Sequence, residues 1–279
     1  MTLSRAQSVA NADRDLRQYL IRIAATLGDA LGDALSGLYV HGSLATGSFH
    51  RERSDIDLIA ITSRKLTPAE RERSARSLVK LSDERPLWGD IEATIVAERA
   101  IAEFVHPLPY EVRYDSGLHE RIRHGRIDFA RDESSVNLAS KIVEVRERGV
   151  TLVGAPPDRA FGPVPWYAYV DALRADFESA QSRSPEKPVY GVLGACRVLY
   201  GATSTQMRTL NKDEAATWAL RTVPERYHAA IRDALHVYRG TKSIEDVVFA
   251  RSEVDAFRDY VRERSMAAFE RASGTGEST

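Results

Sequence analysis

Leu38-Tyr39-Val40-His41-Gly42-Ser43-Leu44-Ala45-Thr46-Gly47-Ser48, followed after five residues by Ser54-Asp55-Ile56-Asp57-Leu58-Ile59-Ala60-Ile61-Thr62, decides how the first half of the chain is read. Leu38–Val40 is a short apolar run of the buried-strand kind, and Ile56–Thr62 is a second, richer in β-branched residues. Gly42-Ser43 directly follows the first strand and opens a helix. Glycine there lets backbone come close to a ligand, and exposed amides at a helix start suit phosphate oxygens. Asp55 and Asp57 stand at i and i+2, so on a strand both carboxylates project from one face. Two such charges repel unless a cation sits between them. Magnesium takes carboxylate oxygens together with substrate phosphates, which makes this pairing a metal–nucleotide site in outline. Each half alone is weak, since Gly-Ser is a common turn and Asp-x-Asp is usually a solvated strand face.

Working outward, residues 11–35 carry Leu16, Leu20, Ile21, Ile23, Ala24, Leu27, Leu31 and Leu35 at helical spacing. Thr67-Pro68-Ala69-Glu70 predicts a helix start with a capping box, running to about Leu81. Ile91-Glu92-Ala93-Thr94-Ile95-Val96 is a third strand. A charge within such an apolar run is costly unless it is paired or used. If this strand neighbours the Asp55–Asp57 strand, Glu92 becomes a third acid at the same point, able to ligate metal or to take a proton from an attacking hydroxyl. The order helix, strand, strand, helix, strand predicts an α/β (α+β) domain with a mixed sheet, over residues 1–155. A helix over 135–149 and an extended piece at 151–154 close it. Proline-rich punctuation at Ala155-Pro156-Pro157 and Gly162-Pro163-Val164-Pro165 reads as a linker or domain crossing. After it come only helical patterns, at about 166–181, 188–201, 212–221, 225–239 and 245–271, so 156–279 reads as an all-α bundle. The tail Ser273–Thr279 is expected to fray.

Composition narrows the class. The chain has 279 residues, with 39 Lys+Arg against 40 Asp+Glu and a net charge of −1. That balance argues against a protein that grips nucleic acid by bulk charge. The single cysteine, Cys196, excludes an internal disulfide framework and a cysteine-rich zinc site. No apolar run reaches the roughly 18 residues of a membrane span, and the first residues carry acids rather than an apolar export core. A soluble cytoplasmic protein is the expectation. Only six cations are lysine, namely Lys65, Lys80, Lys141, Lys187, Lys212 and Lys242, which makes each one easier to notice.

At these residues the sequence resembles the nucleotidyltransferase superfamily with a polymerase-β-type catalytic domain, and within it the aminoglycoside adenylyltransferases that modify streptomycin and spectinomycin. The resemblance runs from about Leu38 to about Tyr238. It rests on His41-Gly42-Ser43, Ser54–Leu58, Ile91–Val96, Val150–Gly154, Lys187-Pro188-Val189-Tyr190, Cys196-Arg197-Val198-Leu199-Tyr200 and Lys212–Ala219. It implies that Gly42 and Ser43 hold nucleotide phosphates, that Asp55 and Asp57 bind two magnesium ions, and that Glu92 assists metal binding and serves as catalytic base. It further implies that Arg197 and Lys212 reach the phosphates of ATP, that Tyr238 lies near the nucleotide, and that the helical domain closes over nucleotide and acceptor. The implied enzyme is a monomeric Mg-ATP-dependent adenylyltransferase acting on a small cationic aminoglycoside or aminocyclitol, giving antibiotic resistance, with no nucleic-acid or membrane partner.

The acceptor is read from the departures. Streptomycin-modifying members carry a tryptophan in the region of Glu111–Glu120, and this chain has none there. They place acids before the Arg197 position, where this chain reads Arg183-Ser184-Pro185-Glu186-Lys187-Pro188. Asn137 stands where members often have aspartate. The spectinomycin-only branch also lacks the tryptophan and shares the Pro-Val-Tyr segment, so spectinomycin is favoured over streptomycin. The alternative is an enzyme of the same fold acting on a protein, tRNA or small-metabolite acceptor.

Overall fold

The computed structural model describes residues 5–204 and 206–274, and divides into two compact units. The first unit comprises Ser4–Ser135 and Glu144–Pro163; the second comprises Val136–Val143 and the chain from Val164 onward. Residues 275–279, most of the tail expected to fray, lie outside the described residues.

In the first unit, α1 (Arg14–Leu31) buries Leu16, Leu20, Ile23, Leu27 and Leu31 along one stripe. It stops four residues short of the expected end because Gly32 adopts φ 57°, a left-handed conformation that breaks the helix. Leu35 therefore belongs to β1 (Leu35–His41), which is longer than the Leu38–Val40 core suggested. Next come α2 (Gly42–Thr46), β2 (Ile56–Thr62), α3 (Pro68–Asp83) and β3 (Ile91–Ala97). The Thr67 hydroxyl accepts from the Glu70 N–H at 3.3 Å while the Glu70 carboxylate accepts from the Thr67 N–H at 2.8 Å, the predicted capping box.

Shorter elements follow: α4 (Glu98–Ala102), β4 (Leu108–Tyr110), β5 (Val112–Tyr114), α5 (Ser116–Arg123) and β6 (Glu133–Ser135). Helix α6 (Leu138–Arg148), β7 (Val150–Val153) and α7 (Pro157–Ala160) complete the region before Pro163. The main sheet has the order β5-β3-β2-β1-β7 and is mixed, as expected: β2 and β3 are parallel, and the other pairs are antiparallel. The parallel pair follows from the α3 crossover, since parallel neighbours need a long connection. A separate ribbon joins β4 to β6.

Strand alternation sorts the sheet into two faces. Leu38, Val40, Leu58, Ala60, Ala93 and Ile95 form one core with the apolar stripe of α1 and with Ala75, Leu78 and Val79 of α3. Tyr39, His41, Asp57, Ile59, Glu92 and Thr94 therefore point the other way. The proline-rich stretch after β7 holds the boundary of the two units, between Pro163 and Val164, and is itself packed. Phe161 is fully buried with its ring edge-on to Tyr39 at 5.0 Å, and the Tyr39 hydroxyl donates to the Ala155 carbonyl at 2.8 Å.

The second unit is helical: α8 (Trp166–Arg183), α9 (Pro188–Thr203), α10 (Lys212–Thr222), α11 (His228–Arg239) and α12 (Arg251–Gly274). Helix α9 is apolar almost all round and buries Val192, Leu193, Ala195, Cys196, Val198, Leu199 and Ala202, the pattern of a helix enclosed by others. Helices α8, α10, α11 and α12 all pack on it. Among the described residues, no helix is long and apolar enough to cross a membrane.

Candidate active site

In the first unit the predicted residues converge at one end of the sheet. In the ladder His41 pairs with Asp57 across the antiparallel β1–β2 edge, and Asp57 pairs with Glu92 across the parallel β2–β3 edge. The three side chains therefore form a row on the face away from the α1–α3 core. The strand neighbourhood on which the role of Glu92 depended is thus present. Asp57 and Glu92 are each the second residue of their strand, and each is half-buried between fully buried neighbours.

Gly42 is the hinge of the arrangement. It opens α2 directly after β1 with φ 64°, and a Cβ on it would lie 2.0 Å from Asp57 Oδ2 and 2.7 Å from Asp57 Cγ. The Asp57 carboxylate thus occupies the space that any larger residue at 42 would fill. Ser43 follows in the same short turn, half-buried, and the Thr46 hydroxyl donates back to the Gly42 carbonyl at 2.9 Å.

Asp55 differs from the expectation that it sits on the strand: β2 begins at Ile56. Its Oδ1 accepts from the Asp90 N–H at 2.7 Å, which ties the entrance of β2 to the entrance of β3. The tie is tight, because a Cβ on Gly89 would lie 1.9 Å from the Ser54 carbonyl oxygen. Beside the row, buried His41 places Nδ1 3.2 Å from Glu144 Oε2, and Glu144 is itself buried. Neither the spacing nor the composition pointed to that partner, which lies 103 residues away.

Among the described residues, no three His, Cys, Asp or Glu side chains form a ready-made metal cage. This donor set suits magnesium nonetheless. Magnesium characteristically takes one or two carboxylates and completes its shell with water and substrate phosphates rather than with an all-protein cage. Asp57 and Glu92 supply hard oxygens on adjacent strands, beside the glycine turn at Gly42.

The second unit holds the remaining predicted residues. Arg197 lies on α9 and interacts with Asp176 of α8. Burial pushes the Asp176 carboxyl up from its ordinary value, against the opposing pull of Arg197 and of hydrogen bonds from Asn137 and Ser140. Asn137 Nδ2 donates to Asp176 Oδ1, and the Ser140 hydroxyl donates to Asp176 Oδ2 at 3.0 Å. Asn137 is thus the neutral donor that a desolvated carboxylate needs, where an aspartate would set two acids together. Asp176 was missed at the sequence level; its signal was an acid inside the apolar run of α8. Lys212 is the first residue of α10, its ammonium 5.0 Å from the Tyr190 ring centroid. Tyr238 is half-buried on α11, next to Arg239, which grips both carboxylate oxygens of Asp213 at 2.6 and 2.7 Å.

The nucleotidyltransferase domain family matches residues 22–118, and the C-terminal domain of aminoglycoside adenylyltransferases matches residues 159–264. An aminoglycoside (3'') (9) adenylyltransferase of Escherichia coli is 27% identical over 240 residues, covering 83% of this chain and 88% of that protein. A spectinomycin 9-adenylyltransferase of Campylobacter jejuni is 26% identical over 234 residues, covering 81% and 85%. A spectinomycin adenyltransferase from Enterococcus faecialis, solved with ATP and spectinomycin, shares the fold with a TM-score of 0.75. It is 19% identical, and the match covers 90% of this chain and 99% of that one.

Proposed function

The chain belongs to the aminoglycoside adenylyltransferase family, and on that premise we propose that it transfers AMP from ATP to a hydroxyl of an aminoglycoside or aminocyclitol antibiotic, spectinomycin being favoured over streptomycin, and so confers resistance. The observation that carries the reading is the Asp57–Glu92 pair on adjacent parallel strands with Gly42 pressed against Asp57.

In this reading Asp55, Asp57 and Glu92 hold two magnesium ions, which when bound offset charge on the attacking and leaving oxygens. The Gly42 and Ser43 amides and the Ser43 hydroxyl hold phosphate oxygens. Glu92 takes the proton of the acceptor hydroxyl as that oxygen attacks the α-phosphorus. The bond to the pyrophosphate oxygen breaks, and pyrophosphate leaves. Arg197 and Lys212 neutralise the polyphosphate, and Tyr238 flanks the nucleotide. Positioning and electrostatics do most of the work in such transfers, which is why the site is rich in charge and poor in nucleophiles. We place the enzyme in the cytoplasm, where ATP is supplied, as a monomer without a nucleic-acid partner.

The test is mass spectrometry of spectinomycin and streptomycin after incubation with the protein and Mg-ATP. Added AMP on one of them, dependent on magnesium, is the expected result. An unmodified antibiotic panel, with label from α-labelled ATP passing instead to macromolecules of a lysate, would overturn the acceptor assignment. Glu92→Gln should abolish transfer while leaving the fold intact, and full activity in that variant would remove Glu92 from the role of base.

A further inference from the structure

Tyr190 and Arg197 lie seven residues apart on α9, two helical turns, so both leave the helix on one face. The Tyr190 ring collects two cations. Lys212 Nζ, on the first residue of α10, is 5.0 Å from its centroid, and Arg183 Cζ, on the last residue of α8, is 5.7 Å away. Both distances fall in the cation–π range, where the negative face of an aromatic ring attracts a positive group.

The chemistry of that contact matters more than its strength. A lysine ammonium rides on a flexible four-carbon stem and has many places to be. A ring face narrows its positions and does not itself carry a neutralising charge. The acid next to Lys212 in sequence, Asp213, is held in a two-pronged grip by Arg239 and Thr217 shares that guanidinium, so this acid is directed to α11. Two like charges drawn to one ring also repel each other, a cost that a polyanion between them removes. The three residues come from three different helices, so the cluster is a product of the bundle and not of one segment.

We propose that Tyr190 is a positioning residue for nucleotide binding, its ring setting the Lys212 ammonium and bringing Arg183 as a second cation to the polyphosphate. The identity of that anion as ATP rests on the adenylyltransferase reading above. The experiment measures binding of α,β-methylene-ATP with magnesium, and of adenosine, by calorimetry and without any acceptor. Tyr190→Leu is expected to weaken the analogue by roughly 3- to 30-fold, the range of a cation–π contact, while Tyr190→Phe stays near wild type. Lys212→Ala should cost about 10- to 100-fold, as for a lost charge-assisted contact. Arg183→Ala should weaken the analogue, and adenosine, which has no phosphates, should bind all variants alike. If Tyr190 acts through Lys212, the Tyr190→Leu and Lys212→Ala losses are less than additive in the double variant.

Full additivity, a parallel loss of adenosine binding, or a phenylalanine variant as weak as the leucine one would each overturn the proposal. Should leucine lower the melting temperature, Tyr190→Met supplies the same test with a side chain of similar reach and no ring. Failure to modify any antibiotic leaves this result standing, whereas wild-type protein that does not bind the analogue overturns both readings.

Discussion

Consider alanine at position 42. The backbone there has φ 64°, a conformation that costs an L-residue about 1–2 kcal/mol relative to glycine. The added methyl would start 2.0 Å from Asp57 Oδ2, and ordinary contact begins at 3.4 Å, so the carboxylate must retreat by 1.4 Å. Asp57 is an interior member of the sheet, flanked by buried Ile56 and Leu58, so its main chain cannot follow and its side chain must rotate away. A displacement of about 1 Å in a catalytic constellation is worth about 100-fold in rate. For a unit of this size, the backbone strain corresponds to a fall of roughly 2–8 °C in melting temperature. The expected result for Gly42→Ala is therefore a folded protein, modestly less stable, whose magnesium-dependent pyrophosphate release from ATP and spectinomycin is reduced by about two orders of magnitude. Turnover is followed by a coupled pyrophosphate assay and folding by thermal circular dichroism. In an Asp57→Ala background the same change should cost no further turnover, because its target is gone. Wild-type turnover in Gly42→Ala would refute the reasoning, as would equal losses in both backgrounds.

Three other perturbations probe the scaffold. Arg71 is buried, and its Nε donates to Glu111 Oε2 at 2.9 Å, where the carboxylate is only 8% exposed; Arg71→Ala should therefore cost about 3–5 kcal/mol in urea unfolding. Burial raises the Asp13 carboxyl, but hydrogen bonds from Leu16 N–H and Gln7 and the Arg51 guanidinium outweigh it and hold the group at about 2, below its ordinary 3.8. Because the folded value is the lower one, this stabilisation is complete above the ordinary value and disappears as pH falls through 2. A pH series of melting temperatures for Asp13→Asn and wild type should thus show a gap at neutral pH that closes in strong acid. Burial also pushes the Cys196 thiol up, so a disulfide reagent should leave it unmodified in native protein and titrate it fully in denaturant; rapid native labelling would contradict its place in the bundle core.

Local signals read well wherever their cause was local. The capping box at Thr67–Glu70 depends on four consecutive residues and appears as written. The strand at Ile56–Thr62 and the helices after Pro165 follow from composition and period. The errors lie where a distant contact or a single backbone angle decided. Gly32 ends α1 early through its left-handed φ, which apolar spacing does not encode. Composition marks the proline stretch as a linker or domain crossing, and the boundary of the two units, Pro163–Val164, lies within it; composition does not show that Phe161 packs on Tyr39 of the sheet. Glu111 carries no local signal of its partner, Arg71, which lies 40 residues away.

The site divides the same way. By itself the sequence determined the candidates: which acids, which glycine turn and which cations are available, because those follow from residue type and from spacing along one strand or one turn. It also put Asp57 and Glu92 on strands, although Glu92, read as mid-strand, is the second residue of its strand. Only the tertiary structure decided that those strands are parallel neighbours in a register that sets the two carboxylates side by side, that Asp57 fills the space above Gly42, and that Asp55 ties the two strand entrances together through Asp90. It alone brought Glu144 to His41, Asn137 to Asp176, and Lys212 and Arg183 to one tyrosine ring. The physical reason is common to all of these: pairing between segments far apart in the chain is set by sheet register and helix packing, which depend on the whole core, and no local run of residues carries that information.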